Sequence, residues 1–225
     1  MDLIMKQMPV VVSALNVGFL QTLKLFIVTL VGALPLGLVI AFGSMSHFKP
    51  LSWLARLIVW VIRGTPLMIQ LLIIYYFPGL VLHNPIWGGG ETGRFLAAAV
   101  SFIINYACYF SEIYRGGIQG VPEGQKEAGL VLGMTKHQIF FKITLLQMIK
   151  RIVPPMSNEI ITLVKDTSLA FVLGMAEMFS VAKALAASNV SMIPYAIAAL
   201  IYWVFCLFIE FILGRVEKKL AYYHD

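Results

Sequence analysis

Charge is what this sequence has least of. Only 12% of its 225 residues are Asp, Glu, Lys or Arg, while 60% are hydrophobic. A soluble domain is about a quarter charged and about half apolar, so water is not the solvent for most of this surface. Cysteine is nearly absent too. Cys108 and Cys206 stand alone in apolar stretches with no Cys-x-x-Cys spacing, which argues against a disulfide framework or thiolate metal centre. The four histidines, His47, His83, His137 and His224, are scattered through loops and the tail. They do not cluster as metal ligands, so neither a metal nor a cofactor is expected. No Ser-His-Asp arrangement can be argued from spacing, and an enzyme is not expected.

A phosphate loop is missing as well. The nearest approach is Gly88-x-x-x-x-Gly93, followed by Arg94-Phe95. The motif requires Lys and then Ser or Thr at those positions, so this chain does not itself hydrolyse nucleotide. The first residues, MDLIMKQMPVVVSALNVGFLQTLK, lack a basic region followed by a short apolar core and a small-residue cleavage site. No removable signal peptide is expected. The formal net charge is +6, but most basic residues flank apolar segments. That placement suits membrane topology and argues against nucleic-acid binding.

What is present is apolar length. A helix needs about 20 apolar residues to cross the hydrocarbon core, and five stretches qualify: about 17–45, 51–77, 95–114, 152–175 and 195–213. The predicted fold is all-α, a single polytopic membrane domain over 1–225. An odd number of spans puts the termini on opposite sides. One face gathers Lys49, Arg56, Arg115, Lys126, Lys136, Lys142, Lys150, Arg151, Arg215, Lys218 and Lys219. The other has Lys6, Arg94 and Lys183, with Lys24 at its border. The richer face is expected to be cytoplasmic, with the N-terminus outside and the C-terminus inside. The location this implies is a plasma membrane, with lipid as a partner.

One polar insert, about 120–147, interrupts the oil on the cytoplasmic side. Pro122 opens it, and a short helix is predicted from Glu123 to about Leu132. Gly133 suits a left-handed C-terminal position. Thr135-x-x-Gln138 reads as a capping box, starting a second helix with Ile139, Phe140, Ile143 and Leu146 at helical spacing. Ala128 and Gly129 are small enough for another surface to approach closely.

Here a resemblance becomes specific. Glu127-Ala128-Gly129, Gly133 and Ile143-Thr144-Leu145 are similar to the EAA signature of ABC importer membrane subunits, at the family's spacing. Gly129 stands where the family has a second Ala, and Leu146 where it has Pro. The second departure predicts a straighter helix after the insert. Arg63-Gly64-Thr65-Pro66-Leu67, Glu112-Ile113-Tyr114-Arg115-Gly116-Gly117-Ile118-Gln119, Ser157-Asn158-Glu159 and Lys165-Asp166-Thr167-Ser168-Leu169 resemble the polar amino acid permease branch. The resemblance runs from about Gly18 to Leu220. It implies that Glu127, Ala128, Gly129 and Gly133 form a coupling helix seated in a separate ATPase subunit. It implies two such ATPase subunits inside, a substrate-binding protein outside, and a second copy or similar permease completing the pore in a bacterial inner membrane.

Ionisable residues within a span are costly and mark function by default. On the fourth stretch Glu159, Thr162 and Asp166 recur at i, i+3 and i+7, forming one polar stripe. Asn158, Glu159, Thr162, Asp166, Thr167 and Ser168, with Arg63 and Gln70 of the second stretch, are the candidate substrate contacts lining a central cavity. Lys165 and Asp166 could instead neutralise partners on neighbouring helices. Arg63 and Gln70 are expected to share a face of the second stretch, where Arg63 either holds a substrate carboxylate or braces the bundle. Thr65 and Pro66 are expected to break the helix locally. Glu112 and Arg115 are expected to form a structural or gating pair, and Glu210 to pair with another helix. A carboxylate in a dry cavity suits an ammonium, which leaves glutamine, cystine and cationic amino acids all open. The contrasting readings are a secondary transporter or channel that works without an ATPase, and a membrane scaffold.

Overall fold

The computed structural model describes residues 2–220, which form helices joined by short turns and loops, with no strand among them. Nine α-helices follow one another: α1 (Asp2–Ser44), α2 (Lys49–Arg63), α3 (Leu67–Leu80), α4 (Gly90–Gln119), α5 (Glu123–Val131), α6 (Lys136–Ile139), α7 (Leu145–Asp166), α8 (Met178–Asn189) and α9 (Ile193–Leu220). One π-turn, Phe140–Thr144, joins α6 to α7, and a 3-10 segment, Thr167–Leu173, follows α7.

Three helices are long and apolar enough to cross a membrane unaided: Met8–Ser44, Gly90–Gln119 and Ile193–Leu220. Two further spans exist only as bent pairs. Lys49–Arg63 and Leu67–Leu80 meet at 107°, and Lys136–Leu173 meets Met178–Ser188 at 59°. The expected count of five is reached when each bent pair is one crossing. The second span, expected over 51–77, is broken at Thr65 and Pro66 as the sequence suggested, and by far more than a local kink. Pro66 has no N–H and disfavours helical geometry in Thr65, and the chain turns there. The fourth span begins earlier than expected, and the sequence reading had no place for α8. Its apolar residues merge with the preceding stretch, and only the left-handed Gly174 (φ +69°) marks the corner.

The frame of the bundle is α1 against α4. Gly32 sits beside Ile103, and Gly37 beside Ala107 and Phe110, so the two helices run in the same direction. Small residues at the seam let the backbones come close, as lipid-embedded helices require. Ala97, Ala98, Phe102, Ala107 and Phe110 are fully buried there. In its most apolar stretch α4 is 61% buried, against 6% for α9. The axis of the chain is α4, and α9 is a wall.

Proline is tolerated inside α1 (Pro9, Pro35) and α7 (Pro154, Pro155) without a break. At Leu146, where the resemblance implies a proline, α6, the π-turn and α7 follow one another without a loop.

A methyl group at Gly37 would lie 2.9 Å from the Ala107 carbonyl oxygen, which is backbone and gives way poorly. Gly37→Val is expected to cost about 1–3 kcal/mol, read as a lower unfolding midpoint of the detergent-solubilised protein. Gly214→Ala, with open space around the added carbon, is expected to leave the midpoint unchanged or slightly raised.

Candidate functional site

The break between α2 and α3 is held by its own residues. Without an N–H on Pro66, the Ile62 carbonyl loses its helical donor. Gln70 replaces it: Nε2 lies 2.8 Å from Ile62 O, 3.1 Å from Thr65 O and 2.8 Å from Thr65 Oγ1. The Thr65 hydroxyl in turn donates to Val61 O at 2.9 Å. On the other side Gln70 Oε1 accepts from Asn105 Nδ2 of α4 at 3.0 Å. Gln70 is buried. It was expected to share a helix face with Arg63 and line a cavity; the bend removes that shared face, and the amide serves the break instead.

Arg63 ends α2 beside the third helix of this group. Its guanidinium lies 5.1 Å from the Tyr109 ring centroid and 3.8 Å from Glu112 Oε2. Glu112 is also gripped by Arg115, whose Nε donates to Oε1 at 3.0 Å and whose Nη2 donates to Oε2. The expected Glu112–Arg115 pair is thus present, with Arg63 as a third member. These two contacts to Glu112 are the ion pairs found among the described residues.

A cavity of about 570 Å³ opens on this cluster, lined among others by Arg63, Tyr109, Glu112, Arg151, Pro155 and Glu159. On the far side of the Arg63–Glu112 pair a second cavity, about 530 Å³, runs along α2 past Trp53, Arg56 and Trp60. Glu112 is neutralised by its arginines. Glu159 and Arg151 have no ion pair within 4 Å among the described residues, and they bring one further charge of each sign to the 570 Å³ cavity.

The other expected contacts disperse. Asn158 is exposed, and its carbonyl accepts from Thr162 Oγ1 at 3.0 Å. Asp166 accepts from the buried Tyr106 hydroxyl at 2.8 Å, so its partner on a neighbouring helix is a phenol. Thr167 is buried, donating to Val164 O at 2.6 Å. Ser168 donates to Lys165 O at 2.7 Å, and these two residues line a different groove, with Phe179, Tyr195, Tyr202 and Trp203. The stripe is therefore split, since Glu159 reaches the charged cavity and Asp166 meets Tyr106, while Ser168, off that stripe, faces α9.

Sequence reasoning passed over Asn105, Tyr106 and Tyr109 in α4, Arg151, and Glu177. The signal for the first was available, since Asn105, Tyr109 and Glu112 recur at i, i+4 and i+7. Glu177 gave none. It is fully buried at the N-cap of α8, accepting from Phe179 N at 2.7 Å and Ser180 N at 2.6 Å, where a carboxylate offsets the free N–H groups of the helix start.

The polar insert is a closed bracket. Past α5, Gly133 has φ +74°. Gly133 N donates to Leu130 O, and Met134 N reaches back to Gly129 O at 3.0 Å. Thr135 and Gln138 form the expected capping box. Ile139 and Ile143 were expected on an exposed stripe. They turn inward instead, onto buried Gly129, where an added carbon would meet Ile139 at 2.8 Å. The face left outside carries Glu127, Ala128, Leu130, Val131 and Leu132, with Val131 88% exposed. Such apolar exposure marks a contact surface.

Residues 33–222 match the family of binding-protein-dependent transport system inner membrane components. The chain belongs to that family. It is a membrane transport component and not an enzyme. Among its relatives, the L-cystine transport system permease protein TcyB of Bacillus subtilis is 38% identical, the alignment covering 93% of this chain and 87% of the relative. The arginine transport system permease protein ArtQ of Bacillus subtilis is 37% identical over 90% of each chain. The glutamine transport system permease protein GlnP of Escherichia coli is 30% identical over 90% and 91%. A solved amino acid ABC transporter with histidines superposes with a TM-score of 0.84 at 33% identity, covering 95% of this chain and 97% of that one.

The bracket depends on Gly133, because a branched residue at positive φ costs about 1–2 kcal/mol. Gly133→Val is expected to speed limited proteolysis between Leu132 and Thr135 several-fold while leaving the membrane-embedded fragments intact, as read on a gel.

Proposed function

We propose that this chain is the pore-forming permease of an ATP-driven importer for a polar amino acid, with hydrolysis carried out by a separate ATPase subunit. The observation that carries the reading is the 570 Å³ cavity with Arg63 and Arg151 of one sign and Glu112, held by its arginines, and Glu159 of the other. Its size is that of a small-molecule site. A zwitterion brings one carboxylate and one ammonium, and a low-dielectric span rewards matching both. Arg63 and Arg151 then receive the carboxylate, and Glu159 the ammonium. Asn158, Thr162, Asp166, Thr167 and Ser168 belong to the helix that carries Glu159 and stand behind this pair rather than around it. The relatives named for cystine, arginine and glutamine support an amino-acid substrate and do not choose among the three.

The bracket supplies the coupling. Glu127, Ala128 and the apolar Leu130–Leu132 face outward on a rigid double turn, suited to the groove of an ATPase subunit. Lysine and arginine placement puts this face in the cytoplasm, the N-terminus outside and the C-terminus inside. The assembly comprises two ATPase subunits, an external substrate-binding protein, and a second copy or similar permease against the bare wall of α9. Closure of the ATPases moves the brackets and alternates access to the cavity.

Two substitutions test this in liposomes containing the purified complex. Glu159→Gln is expected to raise the half-saturating concentration of arginine, glutamine or cystine by about 10–100-fold, the loss of a charge-assisted contact, with assembly unchanged. Glu127→Lys is expected to leave membrane insertion intact while abolishing substrate-stimulated ATP hydrolysis. Uptake that proceeds without ATP, or is indifferent to Glu127→Lys, overturns the reading in favour of a secondary carrier.

A further inference from the structure

The hydrogen bonds around the α2–α3 break do more than repair a helix end. Three acceptors, Ile62 O, Thr65 O and Thr65 Oγ1, converge on Gln70 Nε2 at 2.8–3.1 Å. Only the donor end of the amide can serve them. What fixes that end toward the break is Asn105, whose Nδ2 donates to Gln70 Oε1 at 3.0 Å from inside α4, where it is buried. Asn105 is therefore the external reference for the geometry of residues 62–66.

That geometry aims one functional side chain. Arg63 is the last residue of α2, immediately before the turn at Gly64. Its guanidinium reaches Tyr109 and Glu112, which lie one and two turns beyond Asn105 on the same face of α4. A single stripe of α4 thus anchors the break at one end and receives the charge that leaves it at the other. A rotation of the break would carry Arg63 off this stripe and out of the cavity.

We propose that the Asn105–Gln70 amide pair is a positioning device for Arg63, setting the affinity of the cavity for a substrate carboxylate without touching the substrate. This rests on the reading of Arg63 as a cavity residue, so the test has one arm that does not need a transported substrate.

The experiment uses the purified complex with its ATPase partner in liposomes. Hydrogen–deuterium exchange is followed in the peptide spanning residues 60–70, and uptake of labelled arginine, glutamine and cystine is measured in parallel. Asn105→Ala is expected to raise exchange in that peptide and to raise the half-saturating concentration about tenfold. In an Arg63→Gln background the same substitution is expected to change it by less than about twofold, because both act through one group. Should Asn105→Ala fail to assemble, Asn105→Leu, which keeps the bulk and removes the donor, is expected to give the same pattern. Unchanged exchange overturns the proposal. So does raised exchange with unchanged affinity, or a full tenfold effect persisting in the Arg63→Gln background, which marks a merely structural role. If none of the three amino acids is carried by the unaltered complex, the transport reading fails, and the exchange arm alone still decides whether Asn105 holds the break.

Discussion

A backbone carbonyl stranded in hydrocarbon has no water to turn to, and each one left bare costs several kcal/mol. This protein stops a helix at Pro66, in a turn whose outer side is exposed, and answers the consequence from the inner side with one buried amide. Gln70 serves the stranded Ile62 and Thr65 carbonyls and is itself held by Asn105. Everything polar nearby is arranged around that solution. Arg63 leaves the break toward α4, Glu112 meets it there, and Arg115 meets Glu112 from the next turn. The charged cavity exists because the break exists.

The frame around this arrangement is built from small residues. Gly32 and Gly37 bring α1 onto α4 at backbone contact, and the alanines of α4 fill the seam. Between hydrocarbon-embedded helices there is little hydrophobic drive, so close packing carries the association. The same economy appears in the bracket, where the missing side chain of Gly129 admits Ile139 and Ile143.

What the sequence made legible was local. Gly133 at the end of one short helix and Thr135-x-x-Gln138 at the start of the next depend on neighbours within a few residues, and both appear as expected. The apolar stretches announced the spans, though not their bends. Pro66 signalled a break, but its 107° angle depends on how α3 packs against α4. Roles set by distant partners were hidden. Gln70 looked like a cavity residue because its partner Asn105 is 35 positions away, and Asp166 looked like half of an ion pair because Tyr106 lies 60 positions away. The corner at Gly174 was invisible, since apolar residues continue on both sides of it. A helical period drawn through Glu159, Thr162 and Asp166 holds only to the end of α7, because the path tightens to a 3-10 segment from Thr167 onward.

The uninterrupted passage from α6 through the π-turn into α7 has a mechanical consequence. Between Leu145 and Asp166 there are 22 residues of helix, with Pro154 and Pro155 near the middle, a rod of roughly 33 Å at 1.5 Å per residue. Such a rod behaves as a lever whose short arm is the bracket. A tilt of only about 5° imposed there sweeps the far end through roughly 3 Å, about the length of one hydrogen bond. Glu159 rides part-way along the arm and Asp166 at its tip, so one small angular input moves the two carboxylates by unequal amounts.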